Sequence, residues 1–182
     1  MLVWALLSRR RAFAELRTLA TTDSLTGALN RREFLRQLDL EWNRVQRNEA
    51  SQATVLMLDA DYFKSINDSL GHKAGDAALA QLGVLLQRSV RRSDAVARIG
   101  GEEFAIILVG TRVKEGAQFA ERLRSQVAQM PILFEGQEFK MTVSIGVGGI
   151  LDTDQDSTIA LTRADKALYL AKDLGRNRVA AA

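Results

Sequence analysis

The sequence predicts one α/β domain of the α+β kind, a single mixed sheet covered by helices, and three observations carry that expectation. Of 182 residues, 47% are hydrophobic and 26% charged, a balance that suits one domain with a substantial core. Apolar runs of strand length interleave with segments of helical period along the chain. Two of those runs flank a Gly100-Gly101 pair, the mark of a hairpin, so at least part of the sheet is antiparallel.

The elements follow in order. Met1 to Leu7 is apolar and Ser8, Arg9, Arg10 and Arg11 follow directly. Such a run is too short to span a bilayer; it fits the stump of a transmembrane helix with a basic flank, or the start of a helical linker over 1–20, ahead of a domain over 21–182. Phe13, Leu16 and Leu19 or Ala20 continue at helical spacing, as a short helix packing on a partner copy would. Phe34, Leu38, Trp42 and Val45 predict an amphipathic helix over 30–47, capped by Asn30 and Glu33. The apolar run Thr54 to Leu58 predicts a strand buried on both faces, with Asp59 and Asp61 emerging at its end.

After Gly71 and Gly75, the set Leu79, Leu82, Leu86 and Val90 predicts a helix ending in Arg91 and Arg92, where cations suit the C-terminal dipole. Ala95 to Ile99 and Glu103 to Val109 predict the hairpin, its glycines taking positive backbone dihedrals. Phe119, Leu123 and Val127 mark a helix that stops near Pro131. Met141, Val143, Ile145 and Val147 alternate with Thr142, Ser144, Gly146 and Gly148, the pattern of a strand with one buried face. Leu161, Ala164, Leu168 and Ala171 predict the last helix.

Composition excludes several functions. No cysteine means no disulfide framework and no thiolate metal site, and a lone His72 excludes a multi-histidine site. A net charge of +3 does not compel nucleic-acid binding, and the aromatics sit mostly at apolar positions rather than on an exposed stacking strand. What remains are two acidic clusters: Asp59-Ala60-Asp61 at a strand end and Glu102-Glu103 in the hairpin. Magnesium takes oxygen ligands, a few carboxylates completed by water and substrate phosphates, so carboxylates converging from neighbouring strands would suit phosphoryl or nucleotidyl transfer. Acidic residues at strand ends are also ordinary solvated rim. The segment from Asp59 to Asp76 reads as a loop able to offer backbone N–H groups and Lys64 to an oligophosphate. Asn67 and Asp76 match the acceptor and donors of a guanine edge, although either alone is equally a turn or cap residue.

Taken together, these residues resemble a known family. Gly100-Gly101-Glu102-Glu103-Phe104, behind Arg98-Ile99, is similar to the signature of the diguanylate cyclases, the GGDEF domains, in its glutamate variant. Asp23 to Arg32 resembles the family's opening motif, Asp59 to Asp76 its metal and nucleotide segment, and Asp165 to Asn177 its closing motif, so the resemblance covers about 21–179 in order. Ala28 departs from the leucine usual there, with Leu29 beside it.

The resemblance implies a palm-like nucleotidyl-cyclase fold with a ferredoxin-like core and a largely antiparallel sheet. It implies a homodimer in which each domain holds one GTP, and each 3′-hydroxyl attacks the other's α-phosphate to give cyclic di-GMP and two pyrophosphates. Asp59, the Ala60 carbonyl, Glu102 and Glu103 would hold Mg²⁺ or Mn²⁺, two ions per site, and Glu102 would also accept the hydroxyl proton. Lys64, the Phe63-Lys64 backbone, Lys172 and Arg176 match triphosphate contacts, and Asn67 and Asp76 guanine contacts. Gly100 and Gly101 would allow close approach of the nucleotide, and His72 stands at a position near it. Arg91 and Asp94 match the family's inhibitory product site. A cytoplasmic catalytic domain is implied, with an inner-membrane anchor for a longer parent left open.

Overall fold

The run Ala53–Ala60 is buried along its whole length and forms β2, the strand on which the architecture is built. Side chains alternate across a strand, and here both faces meet helices. Leu56, Leu58 and Ala60 share one core cluster with Leu79, Leu82, Leu86, Leu123 and Val127, whereas Val55 and Met57 share the other with Phe34, Leu38, Ala164 and Leu168. In this computed structural model, which describes residues 20–47 and 51–182, the order is β1 (Leu29–Asn30), α1 (Arg31–Arg47), β2, α2 (Phe63–Leu70), α3 (His72–Ser89), β3 (Ala95–Gly100) and β4 (Glu103–Val109). Then come α4 (Val113–Gln129), β5 (Ile132–Phe134), β6 (Gln137–Phe139), β7 (Val143–Ile150), α5 (Thr158–Asp173) and β8 (Val179–Ala181). The expected helix over the first 20 residues lies outside the described residues, save Ala20.

The main sheet runs β1-β3-β4-β2-β7-β8, and β5 and β6 form a separate ribbon. Its four inner strands pair antiparallel, while β1 with β3 and β7 with β8 are parallel, so the expected mixed, largely antiparallel sheet is observed. Helices α3 and α4 cover one face and α1 and α5 the other. Asn30 caps α1 as read from the sequence, its Oδ1 accepting the Glu33 N–H at 3.0 Å, and the Glu33 carboxylate accepts from Arg36 and Gln37.

Four expectations need correction. The segment after Asp61 is not a loop: Phe63–Leu70 is helical, and α3 begins at His72 rather than beyond Gly75. Helix α3 ends at Ser89 with Val90 extended, which leaves Arg91 and Arg92 beyond the helix. Of the two hairpin glycines only Gly101 has positive φ, at 47°. Finally, β7 is buried on both faces. Its Gly146 and Gly148 face α5 so closely that a Cβ at Gly146 would stand 2.0 Å from the Ala164 carbonyl oxygen and 2.2 Å from the Leu168 nitrogen. What reads as a polar alternation is a groove into which the backbone of α5 settles.

Candidate active site

Strand pairing brings the two acidic clusters together. Asp59, near the end of β2, is opposite Glu103 on β4 and Ser144 on β7, and the Ala60 N–H donates to the Glu102 carbonyl at 3.3 Å. The side chains of Asp59 and Asp61 nonetheless do different work. Asp61, only 3% exposed, accepts from the hydroxyls of Thr142 and Ser144, both at 2.7 Å, and from the Asn177 N–H at 3.0 Å. These donors satisfy its buried carboxyl oxygens and tie the loop after α5 to the end of β2. Asp61 is therefore a structural lock, and Asp59 the carboxylate offered to the site.

Asp59 pairs with Lys172 of α5, Nζ to Oδ2 at 2.7 Å. Burial pushes its carboxyl above the ordinary range; Lys172 pulls it back, and the charges of Glu102 and Asp61 push it up again. Glu103 is raised for the same reasons, burial first, then Asp59, with Asp165 and Glu102 adding to it. These carboxylates crowd one another, and a divalent cation relieves such crowding. Among the described residues no three or more His, Cys, Asp and Glu side chains form a ready metal cage. The donors fit magnesium all the same, because magnesium keeps part of its shell for water and substrate phosphates.

The raised Glu103 predicts a pH effect with a definite sign. A folded-state value above the ordinary 4.5 means the folded chain holds that proton more tightly than the unfolded chain. The contribution favouring the fold is present below 4.5 and is lost as pH rises through the raised value, so ionised Glu103 opposes folding at neutral pH. In metal-free buffer at pH 7, Glu103→Gln is expected to raise the melting temperature slightly, on the order of 1 °C after solvent screening. The gain should vanish below pH 4, as followed by circular dichroism; a lowered melting temperature at pH 7 would contradict it.

Beyond β2 the chain turns into α2, whose N-cap residue Tyr62 makes no side-chain cap hydrogen bond. The first N–H groups of a helix have no intrahelical partner and attract anions, and Phe63 and exposed Lys64 lie in this turn. Asn67 folds back over α3, where a Cβ on Gly75 would stand 2.0 Å from its Oδ1. That buried Oδ1 has no hydrogen-bond partner, an orphan acceptor packed against Gly75, the residue before Asp76, that a base N–H would satisfy. Asp76 and His72 are exposed on the first turns of α3. Arg176 lies over the ring of Tyr62, its guanidinium carbon 5.0 Å from the centroid. Around Gly100 and Gly101 a Cβ would meet nothing within 4 Å. Only Gly101 needs glycine for its backbone, and Gly100 leaves open space next to the acidic hairpin.

Arg98 braces this hairpin. Its Nε donates to the Gly101 carbonyl at 2.8 Å, and its Nη1 lies 3.3 Å from the Asp23 carboxylate. Burial alone would raise Asp23, but bonds from the Thr26 hydroxyl and N–H and the charge of Arg98 outweigh it, and the net is downward. The opening motif is pinned in turn to α3, where Gln87 donates to the Thr26 carbonyl at 3.0 Å and Gly83 makes room for Thr26.

Arg91 and Asp94 are not part of this assembly. They line a groove of about 670 Å³ with Arg88, Glu115, Arg122 and Gln126, between the end of α3 and α4. Asp94 shapes its rim, accepting from the N–H groups of Arg91 at 2.9 Å and Val109 at 3.1 Å. Val109 and Glu103 are the two ends of β4, so groove and acidic hairpin lie roughly 20 Å apart at the strand's usual rise.

Several motif residues have roles that the sequence reading did not assign. Asp165, which opens the closing motif, stands seven residues before Lys172 in α5, two turns on one helix face, and that spacing is a signal for its place near the acidic site. The Arg98 to Asp23 brace and the Arg124 bond to Asn177, at 2.7 Å, join residues distant in the chain and leave no local signal. Among the described residues no helix is long and apolar enough to cross a membrane.

The family described as diguanylate cyclase, GGDEF domain, matches residues 20–178. Diguanylate cyclase DgcP of Pseudomonas aeruginosa is 39% identical over 160 residues, 88% of this chain and 24% of that protein. Diguanylate cyclase A of Treponema denticola is 35% identical over 168 residues, 91% of this chain and 45% of that protein. The chain thus spans less than half the length of these relatives. The crystal structure of the coiled coil and GGDEF domain of DgcB from Caulobacter crescentus, in complex with c-di-GMP, superposes with a TM-score of 0.90 at 30% identity, covering 99% of this chain and 95% of that one.

Proposed function

The chain belongs to the diguanylate cyclase GGDEF domain family, and from that premise we propose that it condenses two GTP molecules into cyclic di-GMP with release of two pyrophosphates, as a homodimer. The observation that carries this reading is the meeting of Asp59 with the Glu102-Glu103 hairpin beside the uncapped start of α2. Carboxylates and anion-seeking N–H groups side by side suit a metal-bound triphosphate.

Mg²⁺ or Mn²⁺, two ions per site, when bound would neutralise phosphate charge and lower the pKa of the attacking hydroxyl; Asp59, the Ala60 carbonyl, Glu102 and Glu103 would hold them. The rest of the work falls to the chain. The Phe63 and Lys64 N–H groups, Lys64, Lys172 and Arg176 bind the triphosphate, where cations offset charge growing on the departing pyrophosphate. The Asn67 amide donates to the base's O6, with its orphan Oδ1 free to accept from a base N–H, and Asp76 accepts from the N1 and N2 donors, which favours guanine over adenine. His72, exposed at the start of α3, borders that base site. Glu102 takes the proton from the 3′-hydroxyl. One domain presents one nucleotide, so the attacking hydroxyl arrives from a second copy, and the facing of two domains supplies the orientation on which such reactions depend. The direct test is incubation with GTP and Mg²⁺: cyclic di-GMP and pyrophosphate are expected, and GDP with orthophosphate would contradict the reading.

Product binding at the groove of Arg91 and Asp94 completes the proposal. Arg91 forks onto a phosphate or guanine edge there. Lying at the far end of β4, product in this groove cannot block the same domain's acidic site, so inhibition acts by restraining how two domains face each other. Arg91→Ala is expected to weaken cyclic di-GMP binding by roughly 10- to 100-fold, the cost of a charged hydrogen-bonding group, and to relieve product inhibition of pyrophosphate release. Unchanged inhibition would overturn this assignment.

A further inference from the structure

Tyr62 stands between the sealed Asp61 and the start of α2, and the residue is 63% exposed. The ring neither caps α2 nor joins either core cluster. Its backbone is left-handed, φ 54° and ψ 29°, a conformation disfavoured for a bulky residue. Arg176 is left-handed as well, with φ 60°, and its guanidinium lies over the ring at 5.0 Å. Immediately beside this stack, the Asn177 N–H donates to Asp61. Consecutive residues 61–62 and 176–177 are thus clasped twice, once by a part-buried hydrogen bond to a carboxylate oxygen and once by a cation–π contact. Arg124 fixes the Asn177 side chain from α4. Two strained backbones persist side by side only where the surroundings over-determine them, and such strain gathers at ligand sites.

We infer that Tyr62 is a positioning residue whose ring is the platform holding the Arg176 guanidinium toward the triphosphate, an inference that rests on the GTP reading above. An unsupported arginine at the surface samples many rotamers and must be ordered when phosphate binds. The ring removes much of that cost beforehand, and the clasp at Asp61 and Asn177 fixes the height at which ring and guanidinium meet. Tyr62 acts through Arg176 and touches no reacting atom.

The test uses 3′-deoxy-GTP with Mg²⁺, which lacks the attacking hydroxyl and so binds without turnover, and calorimetry on the whole chain. Tyr62→Phe keeps the ring and is expected to bind as the unmodified protein does. Tyr62→Asn suits a left-handed backbone without a ring, so the fold and melting temperature should hold while binding weakens about three- to fivefold, the size of a partly exposed cation–π contact. In an Arg176→Ala background, Tyr62→Asn should cost nothing further, and 3′-deoxy-GMP, lacking the β- and γ-phosphates, should bind both proteins alike. Unchanged affinity in Tyr62→Asn, additive losses in the double variant, or an equal loss for 3′-deoxy-GMP would overturn the inference alone. Failure of the unmodified protein to bind 3′-deoxy-GTP would overturn the GTP reading and this inference with it.

Discussion

Asp59→Asn is expected to slow pyrophosphate release from GTP on the order of a thousandfold, the scale set by losing one preorganised charge at a phosphoryl-transfer centre. The substitution keeps the shape of the side chain and removes only its charge. The fold does not depend on that charge: burial already raises the Asp59 carboxyl above its ordinary range, so ionising it opposes folding. Lys172, its partner at 2.7 Å, keeps contact with water, its side chain 31% exposed, and is not stranded when the carboxylate goes. The variant should therefore melt at or slightly above the temperature of the unmodified protein while losing activity. Initial rates at saturating GTP and Mg²⁺ measure the effect; retention of more than about a tenth of the rate would remove Asp59 from the metal site.

The largest structural effect is expected at Gly146. A methyl group there would collide with backbone atoms of α5, 2.0 Å from the Ala164 oxygen and 2.2 Å from the Leu168 nitrogen, neither of which moves without the helix. Overpacking that a side chain absorbs costs about 1–3 kcal/mol, and one that must shift a helix lies at or above the top of that range. For a chain of this length about 3 kcal/mol lowers the melting temperature by roughly 10 °C. Because α5 also carries Lys172, the shift should disturb the ion pair with Asp59 as well. Gly100→Ala is the control: nothing lies within 4 Å of the added carbon and no positive φ is required, so the fold should keep its melting temperature. Thermal melts followed by circular dichroism compare the two, and equal stability of both variants would contradict the packing account.

The same two glycines show where the sequence was legible. The hairpin was readable because a glycine pair between apolar runs has few other uses, and β2 because eight consecutive buried positions leave an apolar run. Helix α1 was readable from its period and from Asn30. Strand β7 was read as one-faced because glycine looks like a polar position in an alternating pattern, whereas here it marks a close approach of the α5 backbone to the sheet. Helix α2 was missed because eight residues hold too few turns to show a period, and its Asn, Asp and Ser are turn formers elsewhere. In the site, residue types located both acidic clusters but could not tell Asp59 from Asp61. The distinction lies in Thr142, Ser144 and Asn177, three donors brought in from beyond β2 that only the folded chain assembles.

The central claim is that one chain supplies half of a reaction centre that two copies complete. It is tested most directly by measuring cyclic di-GMP formation from GTP and Mg²⁺ while unmodified protein is mixed with Asp59→Asn at fixed total concentration, with product removed by a phosphodiesterase and counted as its cleavage product. If both halves of a freely exchanging dimer must be competent, the rate follows the square of the unmodified fraction, and an equal mixture gives about a quarter of the full rate. A rate that falls in simple proportion, or no cyclic di-GMP from the unmodified protein alone, would contradict the account.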